Sequence, residues 1–508
     1  MRLERSAQNL AASVFGQTVS VLFSFATRMV FVRTLAQEYL GVEGLFSSVL
    51  LVLSLAELGI GPAIVYSLYE PLAHKNESKV RSLMRLYRNA YWVVGGVVAV
   101  LGLLISFKLH WFIKTPPDIA NLQLIFLAFV LNSALSYFFS YKGSLIAADQ
   151  KNYVVVLNQY GWNVLMCIGQ MALLWIFHSY WLFLACMLVA TLGQNIMISI
   201  ISNRMYPYQL RGEVDKLDKK TLSEIKKNTT ALVIHSLAGV ASTPVTNMIL
   251  STFVGLTVVA IYANYLLVTR ALERLVSQVF RAITAPVGNL GVTESDDRKH
   301  EIFRISFYMN AFFAAITAVP LIVVFEDTMR LFFGEKYVFA FTIEVLIVIL
   351  FYTKQIRAAA LSFTSAFGLY WFTRWKAVAE AVTLIALSFI LVHAYSISGI
   401  MVANIGSCIF ISATIEGYML YKHGLHRSSV PYFKRMALYF VLTVLLGTIV
   451  VFVCSFIPGS SIYSLLVKGT LSLTMSIIGF IAMTFWLPEF SATIPFARRF
   501  IRLILRRR

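Results

Sequence analysis

Charge is scarce in this sequence. Only 13% of its 508 residues are Asp, Glu, Lys or Arg, against about 25% in a soluble globular domain, and that excludes an ordinary water-soluble fold. Acid is scarcer still than base, 24 residues against 43, giving a net charge of +19. Cysteine is nearly absent. Cys167, Cys186, Cys408 and Cys454 each lie inside an apolar run without metal-ligand spacing, so they read as small packing residues and say nothing about redox compartment. No phosphate-cradling loop, His/Glu metal pair or nameable Ser/His/Asp set occurs, so no enzyme, no cofactor and no direct use of ATP is expected. Nor does any loop resemble a selectivity filter. The longest polar stretch, Asn203 to Thr230, is too short to build a core of its own.

What is present is a regular alternation of apolar runs and short polar breaks, with a mean hydropathy of +0.75. A spanning helix needs roughly 20 mostly apolar residues. About fourteen such runs occur: 10–32, 42–68, 90–110, 121–141, 154–177, 181–203, 231–254, 258–280, 303–325, 338–357, 377–394, 399–421, 436–456 and 464–487. They are too long, and too weakly alternating, for barrel strands. The expected fold is an all-α polytopic membrane protein, with the first run a retained helix and not a cleaved leader. Basic residues fix its orientation. The N-terminus, the C-terminal tail and alternate loops hold 31 of the 43 Lys and Arg, the opposite loops hold 5 when Lys108 at the end of the third run is counted with them, and the remaining 7 lie within the runs. Positive charge stays on the cytoplasmic side, so both termini are expected there, as an even number of spans also requires. The same rule makes the high net charge a membrane signature and not a sign of nucleic acid.

The basic stretch 204–230 separates six runs from eight. It is read as a cytoplasmic link between an N-terminal lobe, 1–203, and a C-terminal lobe, 231–421, followed by two additional spans within 422–487 and a basic tail, 488–508. The tail alternates apolar and basic residues at helical spacing, which suits the anionic inner leaflet. Trp371 and Trp375 flank Arg374 in a short inner loop, as interfacial anchors do. A faint internal repeat sets Gln8 onward over Lys227 onward and Gly44 onward over Ile261 onward, and repeats commonly place a transport site at the interface of lobes.

A charge inside a span costs a few kcal/mol or more, so each needs a reason. Lys354, Arg357, Arg281, Lys468, Glu344 and Glu380 lie near span ends, where reaching back to the interface is the ordinary explanation. Arg270, Arg274 and Arg281, spaced by four and seven, share one face of the eighth span, with Glu273 beside them. Gln17, Ser20, Ser24 and Arg28 form a second stripe on the first span. Glu57 lies near the middle of the second, before a Leu58–Pro62 segment able to break the helix. It is placed to pair with Arg28, Arg270 or Arg274, or to take a proton. Asn132, Ser136 and Ser140, then Gln159, Asn163 and Gln170, give two further spans a polar face. Such residues can glue helices together, but so many beside arginines suit a water-filled cationic cavity, which selects anionic ligands. Arginine's planar fork in particular matches phosphate.

The segment Arg28 to Glu70 carries Leu40-Gly41-Val42-Glu43-Gly44-Leu45 and then Leu58 to Ala63, LGIGPA. With the fourteen-run layout, it resembles the Wzx-type polysaccharide flippases of the multidrug/oligosaccharidyl-lipid/polysaccharide (MOP) exporter superfamily. The resemblance implies two six-helix lobes around a central cavity, two C-terminal helices and alternating access in a bacterial cytoplasmic membrane. The implied cargo is a polyprenyl-pyrophosphate-linked oligosaccharide, and the implied partners are the bilayer with its anionic inner leaflet, a polysaccharide polymerase and other envelope-synthesis proteins. It also implies that membrane-embedded arginines matter, and Arg28, Arg270 and Arg274 fit by location. Three rivals stand beside it: a cation-coupled multidrug exporter, which would need more acid in the cavity than Glu57 and Glu273 supply; a peptidoglycan-precursor flippase of the same fold; and a non-transporting scaffold for envelope synthesis.

Overall fold

The computed structural model of the chain describes residues 2–57, 60–208, 223, 229, 242–293, 295–459 and 461–493, with side chains except at 2–15, 55, 56, 62, 242, 278, 279, 281–293, 370 and 371. Hydrocarbon offers the backbone no hydrogen-bond partner, so a spanning segment must satisfy its own N–H and C=O groups, as a helix does. The described residues accordingly fold into helices, without strands. Ten segments among them are long and apolar enough to cross a membrane. The protein is a multi-pass, all-α membrane protein.

In chain order the helices are α1 (Arg2–Thr34), α2 (Gln37–Leu53), α3 (Ile60–Ala73), α4 (Glu77–Ser106), α5 (Leu122–Ala148), α6 (Asn152–Phe177), α7 (Tyr180–Met205), α8 (Ser242–Ile249), α9 (Leu256–Thr293), α10 (Asp296–Phe333), α11 (Phe341–Gln355), α12 (Ala358–Ala366), α13 (Lys376–Gly406), α14 (Thr414–His423), α15 (Val430–Ser455) and α16 (Ile462–Thr484). Most run past the apolar limits read from sequence, because a helix does not end where hydrocarbon ends. The basic tail from 494, most of the 204–230 link and the side chains of Arg281 and Trp371 lie outside the described residues.

Several apolar runs are not single helices. The second is α2, a 3-10 turn over Ser54–Glu57, and α3. The change of pitch falls at Ser54–Glu57, ahead of the Leu58–Pro62 segment expected to break the helix, of which Leu58 and Gly59 lie outside the described residues; Pro62 sits in the first turn of α3, where a missing N–H costs nothing. The seventh ends in a π turn, Leu250–Val254, closed by Gly255 at φ 133°, a conformation that favours glycine. The tenth ends at an interruption, Ile356–Arg357, beyond which α12 continues the span past the predicted limit to Ala366. The eleventh and twelfth form one hairpin: α13 reverses at Ser396 (φ 51°), where Gly399 lies against the Leu391 carbonyl and Gly406 lies 3.6 Å from Leu387 Cδ1, measured from an ideal Cβ. A second π turn, Ser407–Ala413, leads on to α14.

Contacts divide the chain into two compact units, Met1–Ala260 and Ile261–Arg508, the division falling within α9. In the first, α1 packs on α6, α4 on α5, and α7 on both α5 and α6. Its core gathers Ile64, Leu68, Leu83, Met84, Tyr87, Tyr91, Val98, Tyr141 and Leu145. In the second, α10 is the central helix, packed on α11, α15 and α16. The glycines of the Leu40–Leu45 segment have a packing reason. Gly41 presses on the Leu256 carbonyl, and a Cβ at Gly44 would stand 3.1 Å from Val259, so α2 approaches the start of α9 as closely as backbone allows.

Gly41→Val must push those two segments apart, and overpacking of this kind costs typically 1–3 kcal/mol. Gly96→Val, at a position with open space around it, should change stability by less than about 0.5 kcal/mol. Thermal unfolding in detergent should separate the two variants, and equal midpoints would contradict the close approach.

Candidate functional site

Four of the polar residues read from the first-lobe spans converge, whereas Ser136, Ser140 and Gln170 lie outside their pocket. Ser20 of α1, Asn132 of α5, Gln159 and Asn163 of α6, and Thr191 and Gln194 of α7 line one pocket of 270 Å³, together with Met166 and Met187. Ser20 Oγ donates to Asn163 Oδ1 at 2.7 Å, while Asn132 Oδ1 is buried without a partner among the described residues. Asn158 Nδ2 donates to the Gln194 carbonyl at 3.0 Å, tying α6 to α7. Gln17 and Ser24, half-buried on α1, are not among the residues lining this pocket. The sequence reading missed the contribution of α7, although Thr191 and Gln194 stand three apart on one helix face.

Two charged residues of the first unit have partners that sequence spacing did not reveal. Arg28 meets Glu43 of α2 at 3.5 Å and lies over the Phe31 ring at 5.9 Å. Of the partners considered for it, Glu57 is not the one. Glu57 sits in a tyrosine cluster: Tyr91 donates to its carboxylate, Tyr137 also reaches it, and Tyr87 Oη lies 3.1 Å from Ser144 Oγ. Those tyrosines come from α4 and α5, which pack face to face. The 3-10 turn before α3 is what aims Glu57 at them.

The second unit corrects the expectation that charges near span ends reach back to the interface. Arg357, at the break between α11 and α12, is 7% exposed and Glu416 of α14 is 1% exposed. They form a two-pronged pair, Arg357 Nε to Glu416 Oε2 at 2.9 Å and Nη2 to Oε1 at 2.6 Å. Lys376 joins Glu416 Oε1 at 2.5 Å, and Arg357 Nη1 donates to Cys408 Sγ at 2.9 Å. Lys468 of α16 is bound to Asp327 of α10 at 2.7 Å. Removing one member of such a buried group would strand the others, which is costly where solvent cannot compensate. At the other end of α10, Glu489 is shared by Arg304 at 2.7 Å and Arg435 at 3.2 Å.

Arg270 and Arg274 differ from all of these. Both are exposed on α9, within the apolar segment Leu256–Ser277, and neither forms an ion pair among the described residues. Glu273 is half-buried between them, and with Arg270 it acts on the buried Tyr262. The third member of the stripe, Arg281, has its side chain outside the described residues. A separate groove of 530 Å³ runs between α10, α11 and α15, lined by Val319, Ile322, Val348, Val444, Val451 and Phe452 among others. Its walls are aliphatic and aromatic, suited to a hydrocarbon chain.

If the Asn163 pocket is hydrated, Asn163→Cys in a chain with its four native cysteines replaced should react with a small charged thiol reagent. Leu165→Cys, exposed on the apolar side of the same helix, should not. Equal rates, read by mass spectrometry in membranes, would mean that the pocket is dry.

The family described as Polysaccharide biosynthesis protein matches residues 6–287. Among solved structures, the lipid II flippase MurJ in an inward-closed conformation aligns with 93% of this chain and 98% of its own, at a TM-score of 0.65 and 13% identity. An inward-facing multidrug-resistance MATE-family transporter of the MOP superfamily aligns with 79% of this chain and 94% of its own, at 0.63 and 11%. A MOP superfamily transporter from Pyrococcus furiosus, described with a binding pocket of reverse polarity, aligns with 84% and 97%, at 0.56 and 12%. At such identities the likeness is one of fold. No curated protein matches the sequence.

Proposed function

The chain belongs to the polysaccharide biosynthesis protein family, and from that premise we propose that it is a flippase moving a polyprenyl-pyrophosphate-linked oligosaccharide from the cytoplasmic to the outer leaflet of a bacterial plasma membrane. The observation that carries this reading is the pair Arg270 and Arg274, exposed within an apolar span and without an ion pair among the described residues. An arginine in that setting is expensive unless it serves a ligand. Two guanidinium forks one helical turn apart suit a pyrophosphate, which offers several oxygens to planar donors. Arg281, farther along α9, would guide the head group in from the cytoplasmic side.

The rest of the cargo has matching surfaces. The pocket of Asn132, Gln159 and Asn163 supplies the donors and acceptors that sugar hydroxyls need. The isoprenoid tail would stay in lipid along spans 13 and 14, with the apolar groove beside α15 offering it a surface as apolar as the lipid itself. The proposed organisation keeps two lobes, 1–203 and 231–421, joined by the basic link 204–230, with the spans of 422–487 serving the tail and 488–508 lying on the inner leaflet. Both termini are cytoplasmic in this scheme, transport proceeds by alternating access, and a polymerase of the same pathway receives the product. A drug exporter for cations is less well supported, because Glu57 is held by tyrosines and Glu273 stands beside two arginines.

Depleting the protein in its native host should trap undecaprenyl-linked oligosaccharide on the cytoplasmic leaflet. Wild type should restore the outward distribution. An Arg270→Ala/Arg274→Ala variant expressed at the same level should lower the rate about tenfold or more, since each charge-assisted hydrogen bond contributes roughly 1.5–3 kcal/mol. A leaflet distribution that does not respond to depletion would sink the flippase reading.

A further inference from the structure

One carboxylate in the second unit has no use in the scheme above. Glu344, in the first turn of α11, is 0% exposed. Its Oε1 accepts a hydrogen bond from Tyr265 Oη of α9 at 2.5 Å. That hydroxyl in turn accepts from the Phe339 N–H at 3.0 Å, so its position is fixed from the α10–α11 turn. Phe325 and Phe339 pack against the Tyr265 ring, with centroids 4.6 and 5.1 Å away. Glu344 Oε2 is buried and has no hydrogen-bond partner among the described residues.

The charged groups acting on Glu344 are Glu326, Asp327 and Arg330, all from α10. Arg330 is already bridged by Glu326 at 2.8 Å and Glu335 at 2.6 Å, and Asp327 is taken by Lys468 at 2.7 Å. Lys336, in the same turn, lies over the Tyr337 ring at 5.4 Å. An ionised Glu344 would therefore be a further anion facing one cation that two other carboxylates share. A buried carboxylate in that position neutralises itself by taking a proton.

We propose that Glu344 is a proton-binding site, carrying a proton on Oε2 while Oε1 accepts from Tyr265, and that this proton is exchanged during the transport cycle. The ligand is a proton and not a metal ion. A hard cation needs about six oxygen ligands, and here one carboxylate and one tyrosine hydroxyl converge, with no three-residue His, Cys, Asp or Glu cluster among the described residues. Of the carboxylates near it, Glu335 in the α10–α11 turn is exposed and Glu326 of α10 is half-buried. As a coupling device the site rests on the flippase reading, whereas proton occupancy does not.

The test is therefore made first without cargo. The purified full chain in lipid nanodiscs is examined by infrared spectroscopy across pH. Wild type should show a protonated-carboxyl C=O band at neutral pH that Glu344→Gln lacks. Tyr265→Phe, which removes the donor to Oε1, should shift that band to higher frequency. A hydrophobic carbodiimide should modify Glu344 in wild type, as located by mass spectrometry. Should Glu344→Gln fail to fold, the Tyr265→Phe shift and the carbodiimide adduct still decide the matter. Identical spectra in all three proteins, or a carboxyl that is ionised at neutral pH and resists the carbodiimide, would overturn the proposal while leaving the flippase reading intact. In cells, Glu344→Gln should make cargo distribution insensitive to collapse of the proton gradient, and retained sensitivity would overturn the coupling role.

Discussion

Hydrocarbon does not solvate charge, and nearly everything in this protein follows from that. The backbone closes into helices because lipid leaves it no other partner. The same penalty acts on side chains, so charges are gathered into groups contributed by different segments, most with a buried member: Arg28 with Glu43, Arg357 with Glu416 and Lys376, Lys468 with Asp327, and Arg304 and Arg435 with Glu489. Such groups contribute little net stability relative to an apolar core, yet losing one member is costly, so they act as constraints on which helices stay together. The exceptions then carry meaning. Arg270 and Arg274 have no ion pair among the described residues, and Glu344 has one oxygen without a partner there.

The interruptions of the helices serve the polar groups. The 3-10 turn at Ser54–Glu57 ends α2 early and sets Glu57 against the tyrosines of α4 and α5. The break at Ile356–Arg357 releases Arg357 toward Glu416, and the π turn at Ser407–Ala413 brings Cys408 to the same guanidinium. In an uninterrupted helix each side chain's direction is tied to its neighbours by a fixed rotation per residue. A turn of different pitch is the means by which one residue can be re-aimed without moving the rest. Helical breaks and buried charge coincide here for that reason.

Much of the fold was legible because hydrophobicity and basic charge are read locally. The apolar runs and the polar faces of the first, fourth and fifth spans could all be found by spacing alone, and Ser20, Asn132, Gln159 and Asn163 do line one pocket. Gln17 and Ser24 share their spacing yet are not part of its lining, because a helix face about as wide as a third of a turn can look at more than one neighbour. Thr191 and Gln194 went unread because two polar residues in an apolar run are too weak a signal by themselves. Arg357, Lys468 and Glu344 were misjudged for a different reason: nearness to a span end is visible in sequence, but the partner that makes burial tolerable is not.

What the sequence determined by itself was the solvent: its apolar runs demand lipid, its basic loops orient the chain, and its lack of soluble catalytic motifs turns attention to charges inside the spans. Only the tertiary structure decided which of those charges are spent on one another. Glu416 lies 59 residues from Arg357, Glu489 lies 185 from Arg304, and Tyr265 lies 79 from Glu344. Pairing across such separations depends on which helices pack together, a property of the folded chain that no local pattern encodes.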